Sequence, residues 1–160
     1  MQKYIDFRNE IDYKKLKEAA NLIKSGKLVI FPTETVYGIG TNGLDENAIK
    51  RLYEAKRRPL SKPINLLVSD IKMIERVTKN ISDMEYKLME ELFPGPLTII
   101  LNKKDIVPDI LTANGSTVGV RMPEGKIARE LVKCADVPIA APSANTVSYT
   151  HLRAHETLRH

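Results

Sequence analysis

Short apolar runs, each too brief for a helix, recur along the chain with capped amphipathic segments between them. KLVIF (27–31), INLLV (64–68), LTIIL (97–101) and PIAA (138–141) have strand length, and TVGVRM (117–122) alternates like a half-buried strand. Leu16, Ala19, Ala20 and Ile23 fall at i, i+3, i+4 and i+7, with Asp12 before them and Gly26 after, which predicts a capped helix. Asp45 opens a second helix, with Ala48, Ile49, Leu52 and Ala55 inward. Ser82 to Glu85 forms a capping box ahead of Leu88, Met89 and Leu92, broken by Pro94-Gly95-Pro96. A last helix spans Lys126 to Cys134. Strands alternating with helices dictate an α/β layered fold around one sheet. LTIIL and TVGVR have no helix between them, so part of the sheet is expected to be antiparallel.

At 160 residues the chain is one domain long and can bury a core without staples. It carries 25 Lys and Arg against 20 Asp and Glu, a net +5 that favours nucleotides, phosphates, carboxylates or RNA. A merely lysine-rich surface has the same balance. The lone Cys134 excludes an internal disulfide framework and a cysteine zinc cluster, and it accords with a reducing compartment. No apolar run nears the roughly 20 residues of a membrane span, and MQKYIDFRNE lacks the apolar core of a signal peptide. A cytoplasmic protein with no membrane partner is therefore expected.

The final SYTHLRAHETLRH departs from this pattern. It holds every histidine, His151, His155 and His160, and His151 and His155 have no supporting carboxylate other than Glu156. We therefore expect one domain over 1–147, a foreign-looking tail over 148–160, and no metal site.

Gly38-Ile-Gly40-Thr-Asn-Gly43 matches a dinucleotide fingerprint, but Pro32 separates it from the preceding strand. The region where a ribose-binding acid belongs, Lys56 to Lys62, is basic. A tight glycine-rich turn is the expectation there. Lys56-Arg57-Arg58-Pro59 carries more information. Pro59 disfavours the helical conformation at Arg58, so Lys56 and Arg58 are expected in an extended stretch, aimed at one anion. A solvated basic helix end is the alternative. Thr33 and Thr35 leave the first strand on one face. Thr117, Gly119 and Arg121 share a strand face, opposite Val118, Val120 and Met122. Glycine between two polar residues leaves room for a ligand or a second backbone. Ser143 and Asn145 follow PIAA at i and i+2. No histidine precedes the tail, so Ser143 reads as a hydrogen-bonding group and not as a triad nucleophile.

PTETVYG, KRRP with a following KP, PGPLT, TVGVRMP and PIAAPSAN, in this order and spacing, resemble the YrdC/Sua5 family of threonylcarbamoyl-AMP synthases, from about Gly26 to Asn145. The family's K-x-R and S-x-N signature is met by Lys56, Arg58, Ser143 and Asn145. The resemblance implies a mixed α/β (α+β) fold of the YrdC/RibB type. Its sheet would be twisted, mixed parallel and antiparallel, with flanking helices and a basic cavity. It implies a nucleotidyltransferase that joins L-threonine, bicarbonate and ATP into threonylcarbamoyl-AMP and pyrophosphate. The product would serve N6-threonylcarbamoylation of adenosine 37 in tRNA, with a tRNA threonylcarbamoyltransferase complex as partner. By position, the resemblance makes Lys56, Arg58, Ser143 and Asn145 catalytic, and Thr35, Arg121 and Ala141 contacts to L-threonine. It makes Arg58, Lys62, Thr117 and Ser143 contacts to ATP, with Mg2+ accompanying the phosphates.

Two departures stand out. Leu67 occupies a position where many relatives carry a histidine, and the family's further strands after S-x-N are replaced by the tail. Loss of stability or activity in this chain is an expectation of that second departure. A non-enzymatic domain binding double-stranded RNA or tRNA is the alternative function. A carbamoyl-transfer domain of the hydrogenase-maturation type is a third, although such domains sit in much longer chains.

Overall fold

The computed structural model describes residues 12–33 and 37–142. Its elements are α1 (Tyr13–Lys24), β1 (Val29–Pro32), β2 (Tyr37–Asn42), α2 (Glu46–Lys56), β3 (Asn65–Leu67) and α3 (Ile71–Val77). They continue with β4 (Thr78–Lys79), α4 (Asp83–Leu92), β5 (Ile99–Lys103), β6 (Thr117–Arg121), α5 (Lys126–Ala135) and β7 (Ile139–Ala141).

The helices start where side chains can satisfy their free N–H groups. Asp12 accepts from the N–H groups of Lys14 and Lys15, and Asp45 from that of Ala48. Ser82 and Glu85 form the reciprocal capping box. Asp70 caps α3 by accepting from Met73 N–H, an element that the sequence reading missed because its seven residues span only two turns. Helices α2 and α5 end on left-handed residues, Arg57 and Asp136, where glycine is the commoner choice.

Among the described residues the strands run in the order β1-β2-β7-β3-β6-β5-β4. Only β3 and β6 pair in parallel; the other pairings are antiparallel, including the β5–β6 pair expected from the missing helix. The mixed α/β architecture is thus the expected one. Of the expected turn at Gly38–Gly43, Gly38 and Gly40 lie instead in strand β2, and Gly43 begins the turn that follows it. Gly40 and Gly43 serve close packing: a Cβ on Gly40 would collide with Ile139 and the Ala140 carbonyl, and one on Gly43 with Leu66.

Leu66, Val118, Val120, Leu101 and Ala140 occupy one sheet face and are buried in a single cluster. Leu16, Ile23, Leu52, Ile74, Met89 and Leu131 of the helices join it. The opposite face is covered only in part. Leu67 and Ile139 are buried on it, whereas Asn65, Thr98 and Arg121 are half-buried and Thr117 and Ile100 are exposed. No helix of the described residues is long and apolar enough to cross a membrane.

Candidate active site

The partly uncovered face carries the polar residues of the sheet centre. β6 sets Thr117, Gly119 and Arg121 on it, with Thr117 and Arg121 roughly 13 Å apart at strand rise. The register makes Leu67 level with Arg121, and Asn65 level with Ala141. Gly119 is the gap in this row. A Cβ there would collide with the Asn65 side-chain oxygen from one neighbouring strand and approach the Thr98 methyl at 3.0 Å from the other. The room expected over Gly119 exists, and Asn65 and Thr98 lean into it. The sequence reading passed over both, although a lone Asn inside the apolar run INLLV was the available signal.

The second part is the loop between α2 and β3. Lys56 does not leave the helix; it closes α2, half-buried. Arg57 turns left-handed at φ 49°, its N–H donating to Glu54 O, and Arg58 N–H donates to Tyr53 O. The expected extended stretch from Lys56 to Arg58 is therefore corrected. A left-handed residue between them removes the i, i+2 alignment, because the reversal at Pro59 is absorbed one residue earlier. Arg58 folds over its own loop. Its Nε donates to Lys62 O at 3.2 Å and its Nη2 to Pro63 O at 2.7 Å. Nη1 is buried without a hydrogen-bond partner among the described residues. Burial lowers the Arg58 pKa from the ordinary arginine value, with Tyr53 opposing that shift. The Lys62 side chain is exposed.

The two parts meet at one end of the sheet. Arg58 holds Pro63, two residues before Asn65, and Asn65 is the partner of Ala141 at the end of β7. Thr117 begins β6 toward that same end, since β3 and β6 run in parallel. Arg121 lies toward the opposite end of the same face. Ala141 thus lies at the end of the sheet that carries the Arg58 loop. Thr35, Ser143 and Asn145 lie outside the described residues, as does the tail. Among the described residues no three His, Cys, Asp or Glu side chains gather to hold a metal ion.

A polar strip on a sheet centre, closed at one end by an arginine-held basic loop, can take an anionic ligand along its length. Comparison with known proteins agrees with that form. The Sua5/YciO/YrdC family model, described as "Telomere recombination", matches residues 21–160. Threonylcarbamoyl-AMP synthase of Pyrococcus abyssi is 46% identical over 141 residues, covering 88% of this chain and 42% of the relative. The putative threonylcarbamoyl-AMP synthase of Methanocaldococcus jannaschii is 41% identical, covering 86% of this chain and 64% of the relative. The structure of a P. abyssi Sua5 double variant superposes with a TM-score of 0.87 at 45% identity, over 92% of this chain and 45% of the other. That of P. abyssi Sua5 complexed with L-threonine superposes with a TM-score of 0.81 at 46% identity, over 86% and 40%. The chain spans less than half the length of the P. abyssi relative. With its fold, its five ordered motifs and these matches, the chain belongs to the Sua5/YciO/YrdC family.

Proposed function

We propose that this chain carries the reaction centre of an L-threonylcarbamoyladenylate synthase. The observation that carries the reading is the continuous polar strip from Arg121 past Gly119 to Thr117 and the Arg58 loop, on a sheet face that is otherwise apolar. The names of the relatives and the L-threonine complex of a similar structure support it.

The chemistry explains why such a strip is needed. The threonine amine and bicarbonate form a carbamate, with loss of water. A carbamate oxygen then bonds to the α-phosphorus of ATP as the bond to pyrophosphate breaks. Nucleophile and electrophile are both anions, so the site must supply fixed positive charge. In this reading Arg121 takes the amino-acid carboxylate, with Thr35 and the Ala141 backbone as further contacts. Arg58, Lys62, Thr117 and Ser143 take the triphosphate, and Lys56 and Asn145 complete the signature. A phosphate oxygen would give the buried Arg58 Nη1 the partner it lacks among the described residues, recovering the cost of burying it unmade. Holding two anions in line accounts for much of the rate, with no covalent step on the protein. Mg2+ would enter only as the counter-ion of ATP. The adenylate would then serve tRNA threonylcarbamoylation in the cytoplasm, through a transferase complex.

The test is incubation of the purified chain with ATP, bicarbonate and L-threonine, followed by mass spectrometry and a pyrophosphate assay. Any threonylcarbamoyl-AMP formed should be matched by an equal amount of pyrophosphate. Pyrophosphate release indifferent to threonine would overturn the reading, and so would steep salt-dependent RNA binding with no adenylate formed.

A further inference from the structure

Asn65 sits in the polar strip, paired through its backbone to β7, and its side chain bonds to no described residue. It lies on the same strand face as Leu67, two residues before it, and its side chain reaches over Gly119. Its amide makes no hydrogen bond to any described residue, and it is half-buried. An amide carries two donors and an acceptor, and this one is open to a ligand on the uncovered face. Gly119 leaves the space that Asn65 uses; any side chain at 119 would push the amide away. The result is a hydrogen-bonding group beside an apolar one, because Leu67 is only 7% exposed on the same face. Arg121 is level with Leu67 on the next strand.

Resting on the proposed synthase reading, we infer that Asn65 is a specificity residue that hydrogen-bonds the β-hydroxyl of the amino-acid substrate. Threonine presents a carboxylate, and a Cβ that carries one methyl and one hydroxyl. Arg121 matches the carboxylate, Leu67 the methyl, and the Asn65 amide the hydroxyl. Valine has the same shape with a methyl in place of the hydroxyl. A site built to bond a hydroxyl rejects such an analogue because its own polar group is then left unpaired. Leu67 alone could not tell the two amino acids apart, since it offers only apolar contact.

The experiment measures binding of L-threonine and L-valine by calorimetry to the full chain, and to Asn65→Leu and Asn65→Ala, each checked for an intact thermal transition. The preference for threonine over valine should narrow by about tenfold or more in both variants, mainly through weaker threonine binding. Arg121→Lys, in contrast, should weaken both amino acids together. If the wild type binds threonine and the variants keep its full preference over valine, the Asn65 assignment is wrong while the synthase reading stands. Equal losses for both amino acids at Asn65 would likewise reduce it to a structural residue. A wild-type chain that binds neither amino acid would overturn the synthase reading and this inference together.

Discussion

The hydroxyl of Tyr53 and the guanidinium of Arg58 converge on one carbonyl, that of Lys62, at 2.8 Å and 3.2 Å. Each has a second acceptor, Ile110 O at 3.1 Å for Tyr53 and Pro63 O at 2.7 Å for Arg58. The basic loop is therefore tied from below by a buried helix residue and from the side by its own arginine. Its shape is set before any ligand arrives, which is how a positioning site lowers the cost of binding.

Arg58→Ala should cut threonine-, bicarbonate- and ATP-dependent pyrophosphate release at least about tenfold, on the order of 1.4 kcal/mol. Arg58→Lys should fail to restore it, because one ammonium cannot reach two successive carbonyls and leave a further donor for phosphate. Lys56→Ala should show a loss of similar size. Steady-state kinetics check these outcomes, and unchanged rates would remove the assigned roles.

Tyr53→Phe should destabilise the fold by about 1 kcal/mol, since the phenol hydrogen is shared between two carbonyls. The effect depends on pH with a definite sign. Burial raises the Tyr53 pKa above its usual 10.0, and the nearby Arg58 cation opposes the shift. A group raised on folding contributes its full stability below the unfolded value and loses it as pH climbs through the folded one. Denaturant titrations should show wild-type stability falling above pH 10, with a shallower fall in Tyr53→Phe.

Gly119→Ala should cost about 1–3 kcal/mol, because the new methyl meets the Asn65 amide and the Thr98 methyl at once. Asn65→Ala should relieve much of that cost in the double variant, a non-additivity expected of residues in contact. Thermal melts of the four proteins in the cycle decide the point. Additive losses would mean that the two positions do not compete for space.

Cys134 is exposed, yet it should react slowly with iodoacetamide at neutral pH. Burial of the sulfur and the neighbouring Glu130 raise its pKa, with Lys133 and Lys17 pulling the other way. The thiolate is the reactive form, so the rate should climb with pH to a midpoint above that of a free thiol. Glu130→Gln should move the midpoint down. An unmoved midpoint would remove Glu130 as a cause.

Much of the architecture was legible because the signals are local. The caps at Asp12, Asp45 and Ser82 precede their helices by one residue, and TVGVR reads as a strand from its alternation alone. The errors came from glycine and proline. Gly38 and Gly40 resemble a turn in sequence, yet they lie in β2, where a Cβ on Gly40 would collide with Ile139 of β7 and one on Gly38 would crowd the Phe31 ring of β1. Pro59 did signal a break, but the strain settled on Arg57, which no propensity scale favours in the left-handed region. For the site, the motifs named Arg58, Lys62, Thr117, Arg121 and Ala141, while Asn65 and Thr98 went unmarked.

The order of apolar and polar residues along the chain determined the element types and the mixed sheet, while the five motifs pointed to the family. Such features depend on neighbours within a few positions, where 3.6- and 2-residue periods leave their trace. Tertiary structure alone decided that Asn65 stands level with Ala141 and leans over Gly119, and that Tyr53 and Arg58 grip one carbonyl. Strand register joins residues more than fifty positions apart. It is chosen by the packing of the whole sheet, so no local stretch of sequence encodes it.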